Sequence, residues 1–127
     1  MLINRRVDYA LRFLVCLSKK QELVPIAELS TCIKVPKPFL AKIIQILSKH
    51  KIVRSIKGNN GGVALLDKKI NVWQVIKILD PKLAINKCMQ EEFTCFFKKK
   101  CPIHQALKKI EKDLIYQLKQ LVISKME

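Results

Sequence analysis

Residues 25–49 read Pro25-Ile26-Ala27-Glu28-Leu29-Ser30-Thr31-Cys32-Ile33-Lys34-Val35-Pro36-Lys37-Pro38-Phe39-Leu40-Ala41-Lys42-Ile43-Ile44-Gln45-Ile46-Leu47-Ser48-Lys49. Pro25 suits the first turn of a helix, where no N–H is needed. Ile26, Leu29 and Ile33 recur at helical spacing, which predicts a short helix over 25–33. Lys34-Val35-Pro36 breaks the pattern as a turn. Pro36 and Pro38 confine the start of a second helix, 37–49, with Leu40, Ile43, Ile44 and Leu47 on one apolar face. Two short helices joined by a tight turn make a helix-turn-helix, here without the glycine often found in that turn.

The flanking residues strengthen this reading. Ile52-Val53-Arg54-Ser55-Ile56 alternates like a half-buried strand, and Val63-Ala64-Leu65-Leu66 returns. Between them, Lys57-Gly58-Asn59-Asn60-Gly61-Gly62 is built from residues that accept positive φ. A hairpin directly after a helix-turn-helix is a wing. Upstream, Asn4 can cap a helix over 4–20, with Val7, Ala10, Leu11, Leu14 and Val15 inward. Cys16 falls in that core pattern, and Cys32 is also expected to be structural. Asp8 sits in the first turn, where a carboxylate offsets the helix dipole; a surface acid and a metal ligand are both open there. Downstream, Asn71 and Gln74 have capping-box spacing. Val72, Val75, Ile76 and Leu79 form a buried face, and Asp80-Pro81 ends that helix.

The last helix is expected over 103–125. Ile103, Leu107, Ile110, Leu114, Leu118 and Leu121 step by three and four, widened by Ile115 and Val122. At 1.5 Å per residue it spans roughly 33 Å, too long for so small a core to cover. A second copy is the simplest cover, so a two-fold homodimer is expected; the alternative is a helix folded back on its own domain. The expected fold is mainly α with a small β-hairpin: a winged helix-turn-helix DNA-binding domain over 1–80, whose first helix also joins the dimer, a cysteine loop over 81–102 and a dimerisation helix over 103–127.

Composition narrows the function. The 127 residues carry 25 Lys plus Arg against 10 Asp plus Glu, a formal charge of +15. Such an excess favours a polyanion, nucleic acid first and an anionic membrane surface second. No apolar run is long enough to span a membrane and no cleavable signal opens the chain, so a cytoplasmic protein is expected. Phosphate loops, zinc-protease spacings and nucleophile motifs are absent, and no enzyme is expected. His50, among lysines, is read as facing solvent or phosphate. Three of the five cysteines, Cys88, Cys95 and Cys101, are followed closely by His104. In a reducing compartment clustered thiols point to metal or redox chemistry rather than disulfides. Three thiolates with an imidazole suit an iron–sulfur cluster or zinc. Lys98, Lys99 and Lys100 would offset the negative charge of such a cluster, and Phe93, Phe96 and Phe97 would shield it or join a dimer contact.

The ordered set Val7-Asp8-Tyr9-Ala10-Leu11-Arg12, Ile26-Ala27-Glu28-Leu29, Val35-Pro36, Phe39-Leu40-Ala41-Lys42-Ile43, Ile52 to Gly58, Gly61-Gly62 and the three cysteines before a long helix resembles the IscR/NsrR-type (Rrf-two) family of winged helix-turn-helix iron–sulfur transcription regulators. The resemblance implies that Cys88, Cys95 and Cys101 bind the cluster. It offers His104 as fourth ligand of a 2Fe–2S cluster, as in IscR-like members, or Asp8 of the partner subunit for a 4Fe–4S cluster, as in NsrR-like ones. Lys51 stands where the family commonly has glycine, and the first cysteine spacing is six rather than five. The expected protein is a dimeric regulator of palindromic duplex DNA that senses redox state, nitric oxide or iron–sulfur status. Helix 37–49 would enter the major groove through Lys37, Lys42, Gln45 and Lys49. Lys57, Asn59 and Asn60 would act from the wing, and Arg5 and Arg6 near the DNA backbone. The rival readings are a zinc-stabilised DNA-binding regulator and a cluster-free regulator controlled by a protein partner; a redox enzyme or electron carrier fits the wing and the charge poorly.

Overall fold

Asn4 starts the first helix as expected, its side-chain oxygen accepting from the Val7 amide at 2.8 Å. In the computed structural model, which describes residues 2–20, 22–90, 97 and 100–126, α1 runs Arg5–Ser18. It buries Val7, Ala10, Phe13, Leu14, Cys16 and Leu17. Phe13 and Leu17 thus lie deeper than Leu11 and Val15, which sit half-buried at the edge of the stripe.

Helix α2, Ile26–Ile33, begins after Pro25, which is the extended N-cap residue rather than part of the first turn. Lys34 ends it in the left-handed region at φ 57°. The Val35 amide donates to the Ser30 carbonyl at 3.1 Å, and the Ser30 hydroxyl donates to the Val35 carbonyl. These bonds set the corner into α3, Lys37–Lys49, whose Leu40, Ile43, Ile44 and Leu47 are all buried as expected.

The wing pairs β1, Val53–Ile56, antiparallel with β2, Gly62–Leu65, Val53 opposite Leu65 and Ile56 opposite Gly62. Gly58 takes φ +110°, and a Cβ on Gly61 would stand 2.0 Å from the Ile56 carbonyl oxygen; both positions need glycine. Val24 adds a bridge to Val63 through N–H···O bonds of 2.8 and 2.9 Å, fastening the wing beside the start of α2. Helix α4, Val72–Leu79, carries the full capping box: Asn71 and Gln74 exchange side-chain and backbone bonds, each 2.9 Å. It buries Val72, Val75, Ile76 and Leu79.

The final helix departs from expectation. α5 spans Pro102–Gln120, about 28 Å at 1.5 Å per residue, and stops five residues short of the expected end. Leu121 and Val122 are not part of its stripe. The chain instead turns back: the Val72 amide donates to the Leu121 carbonyl and the Ile123 amide to the Ile70 carbonyl, both at 3.0 Å. Ile123 is completely buried with the winged-helix core. α5 packs on α4 and on a one-turn 3-10 segment, Lys87–Met89. It buries no residue fully, and Ile103, Ile110 and Tyr116 are 67%, 56% and 66% exposed.

Ile123→Ala should cost about 2–5 kcal/mol, the range for truncating a buried aliphatic side chain, whereas Leu121→Ala, at a more exposed site, should cost under about 1 kcal/mol. Urea unfolding midpoints check this; equal losses at both positions would contradict a tail built into the core.

Candidate nucleic-acid interface and cysteine site

The packing of α3 determines what it offers outward. With Leu40, Ile43, Ile44 and Leu47 committed to the core, Lys37, Ala41, Lys42, Gln45 and Lys49 are left exposed. Tyr9 meets Phe39 edge-on, ring centroids 5.5 Å apart, and so braces the start of α3 against α1. A cleft of about 890 Å³ opens between α3 and the wing, lined by Ala41, Gln45, Ser48 and Lys49 on one side and Ser55, Lys57 and Asn59 on the other. The structure therefore gathers Gln45, Lys49, Lys57 and Asn59 around one groove. Asn60 is exposed beside them at the wing tip, and Lys37 and Lys42 lie on the exposed part of α3. Among the described residues the ion pairs are Asp8–Arg12 and Lys20–Glu28, so none of these four lysines is neutralised by a neighbour.

Arg6 is exposed, and its guanidinium donates to the Leu79 carbonyl at the end of α4. Arg5 lines a separate hollow with Asp8 and Tyr9. Ser48 and Ser55 were missed. Ser48 lies three residues past Gln45, and that helical step was the available signal. His50 caps the end of α3, exposed, with its Nδ1 donating to the Ile46 carbonyl at 3.0 Å.

The cysteine stretch is described at its two ends. Cys88 lies in the Lys87–Met89 turn, with the Asn86 amide 3.6 Å from its Sγ. Cys101 is the N-cap of α5, its Sγ accepting from the His104 amide at 3.5 Å. Both cysteines are free and half-buried. His104 Nδ1 is buried with no hydrogen-bond partner among the described residues. Glu111 accepts from the Ile85 amide at 3.0 Å, tying the incoming chain to α5. Cys95, with Glu91, Glu92, Phe93, Phe96, Lys98 and Lys99, lies outside the described residues. Among the described residues no three His, Cys, Asp or Glu side chains gather closely enough to hold a metal. The donor chemistry nevertheless fits one: Cys101 offers a soft sulfur at the start of α5, and the His104 imidazole nitrogen lies within one turn of it.

Comparison with known proteins fits this geometry. The family described as "Rrf2: Iron-dependent Transcriptional regulator" matches residues 3–126. The chain belongs to the Rrf2 family. It is 31% identical to the HTH-type transcriptional regulator NsrR of Bacillus licheniformis over 114 residues, 86% of this chain and 80% of that protein. Its fold is that of T. potens IscR, at TM-score 0.74 and 19% identity over 98% of this chain and 84% of that one. Staphylococcus aureus CymR is similar, at TM-score 0.72 and 16% identity over 95% and 93% of the two chains. The protein is thus a winged-helix, DNA-binding transcription regulator of the Rrf2 family. No helix among its described residues is long and apolar enough to cross a membrane.

One pairing in this Rrf2 chain overturns the sequence reading of its cysteines. Cys16 and Cys32 were expected as separate structural thiols; they are joined in a disulfide between α1 and α2, Cα atoms 7.1 Å apart. Cys16 sits at the end of the buried stripe of α1 and Cys32 near the end of α2, and packing of the two helices brings them face to face.

If the groove carries DNA, Lys49→Ala and Lys57→Ala each weaken binding across sequences and reduce the slope of log affinity against log salt by about one. Gln45→Ala instead relaxes sequence preference. Fluorescence anisotropy in a salt series measures both, and slopes unchanged by either lysine substitution would place the phosphate contacts elsewhere.

Proposed function

We propose that this chain works as a homodimer whose affinity for a palindromic operator is set by an iron–sulfur cluster on Cys88, Cys95, Cys101 and His104. The observation that carries the reading is His104 Nδ1, buried and unpartnered one turn into α5 beside Cys101. A buried imidazole nitrogen without a partner is costly unless something coordinates it. The competing ligand, Asp8, is solvent-accessible and pairs with Arg12 at 3.2 Å; the buried imidazole nitrogen is what favours the histidine and with it a 2Fe–2S cluster. The family's description as iron-dependent is consistent with this assignment. Three thiolates and one imidazole also suit tetrahedral zinc, which is the second reading.

The exposed apolar residues of α5, Ile103, Ile110 and Tyr116, are what a second copy would cover. Two α3 helices then reach half-sites about 34 Å apart. When bound, the cluster supplies chemistry sensitive to oxidants, nitric oxide and iron supply. The chain's own residues link that site to the DNA-binding body. Asn4 donates to Asp80 at 3.2 Å and Arg6 to Leu79, so the entry to the cysteine loop is held by the first turns of α1. Glu111 holds the same loop to α5. A loop rearrangement moves both α1 and the dimer helix, and two arrangements with different DNA affinity make a switch.

Anaerobic reconstitution with iron and sulfide, followed by ultraviolet–visible and Mössbauer spectroscopy, tests the reading. Wild type should be coloured, Cys95→Ala colourless, and His104→Ala altered in spectrum while Asp8→Ala is not. A colourless wild type defeats the cluster, and stoichiometric zinc in protein isolated without oxygen supports the second reading.

A further inference from the structure

We propose that Cys16 and Cys32 are a second redox site, distinct from Cys88, Cys95 and Cys101, at which reaction with a low-molecular-weight disulfide fastens α1 to α2 and alters DNA affinity. The two cysteines are unequal. Cys32 is exposed, whereas Cys16 is only 8% exposed. A hollow of about 540 Å³ opens beside both, lined with Val15, Ile33 and Met126 and with the cation Lys19, which has no ion pair among the described residues. It gives a small reagent direct access to the sulfurs.

The reduced pair reacts in two steps. The Cys32 thiolate attacks one sulfur of the reagent RSSR, forming a Cys32–SR mixed disulfide and releasing RS⁻. The Cys16 thiolate then attacks the Cys32 sulfur, forming the Cys16–Cys32 bond and releasing the second RS⁻. Overall, two protein thiols and RSSR give one protein disulfide and two RSH; the protein loses two electrons and the reagent gains them. Excess RSH reverses both steps.

The position of the bond makes it consequential. α2 is an eight-residue helix that fully buries only Leu29, whereas α1 buries six residues. So lightly packed a helix depends on extra ties, and the bond is a covalent one. α2 also leads through the Ser30–Val35 corner into α3, so fixing α2 against α1 fixes the seat of the recognition helix. The hollow is shared with Val72, Ile123 and Met126, the place where the tail closes on the body.

The test uses the full-length chain, reduced and then treated with glutathione disulfide, with peptide mass mapping, thermal melting and binding to a duplex selected from random sequence by the reduced wild type. Wild type should gain the Cys16–Cys32 link and melt higher, and its dissociation constant should change by about five-fold or more, the lower end of ordinary coupling between sites. Cys16→Ser should stop with one glutathione on Cys32; Cys32→Ser should melt like the reduced wild type and ignore the oxidant in DNA binding. Glutathione persisting on Cys32 of wild type without transfer to Cys16, or a link that forms with no change in DNA affinity, overturns the proposal. The binding and melting comparisons are repeated in full-length chains that also carry Cys88→Ser, Cys95→Ser and Cys101→Ser, so that neither result depends on a cluster or on those thiols.

Discussion

The return of the chain at Ile123 is the constraint on which the arrangement rests. The body formed by α1 to α4 is held by apolar contacts, with no polar or charged side chain buried among the described residues. Such a core specifies shape well and direction poorly. Direction comes from the paired backbone bonds that join Ile70 and Val72 to Leu121 and Ile123. With the chain bonded at Asp80 on the way out and at Ile123 on the way back, α5 is held against α4. A helix released at its far end would have no defined angle to the wing; a helix clamped at that end does.

The same division between burial and exposure shapes α3. Its four buried aliphatic residues hold it to the body, and what they leave outward includes Lys37, Lys42, Gln45 and Lys49 beside the apolar Phe39 and Ala41. In general a lysine neutralises phosphates with little regard to sequence, whereas a glutamine amide can discriminate base edges. The wing repeats the pattern, with Lys57 beside Asn59 on backbone that Gly58 and Gly61 allow to turn sharply.

How much of this the sequence reveals depends on whether the deciding contact is local. The bounds of α3 are legible because prolines flank its start and its apolar face is unbroken, and the α4 capping box is legible because it lies within four residues. The end of α5 is not. Leu121 and Val122 continue the heptad pattern without a break, and what stops the helix is pairing with residues some fifty positions earlier. Periodicity carries no trace of that. Cys16 and Cys32 fail for a similar reason, since each fits its own helix and nothing in their spacing says that the helices meet there. Arg6 reads as a free cation until Leu79 is seen beside it. In the cysteine stretch, residue type singled out Cys88, Cys95, Cys101 and His104, but the burial of His104 Nδ1 without a hydrogen-bond partner among the described residues is a fact of packing.

Lys34 and Lys51, at φ 57° and 59°, occupy backbone that glycine adopts freely and that costs a lysine about 1–2 kcal/mol. Each follows the end of a helix of the DNA-reading pair, where a cation is favoured by the dipole. Exchanging both for glycine would relax the backbone and remove two positive charges from the surface of the helix-turn-helix. The native choice therefore trades folding stability for a stronger long-range pull on a polyanion, that is, for speed of encounter rather than tightness of fit. The two sides of that trade respond differently to the medium. Raising ionic strength shortens the range of the pull and erases the kinetic gain, while the conformational penalty, being steric, stays the same.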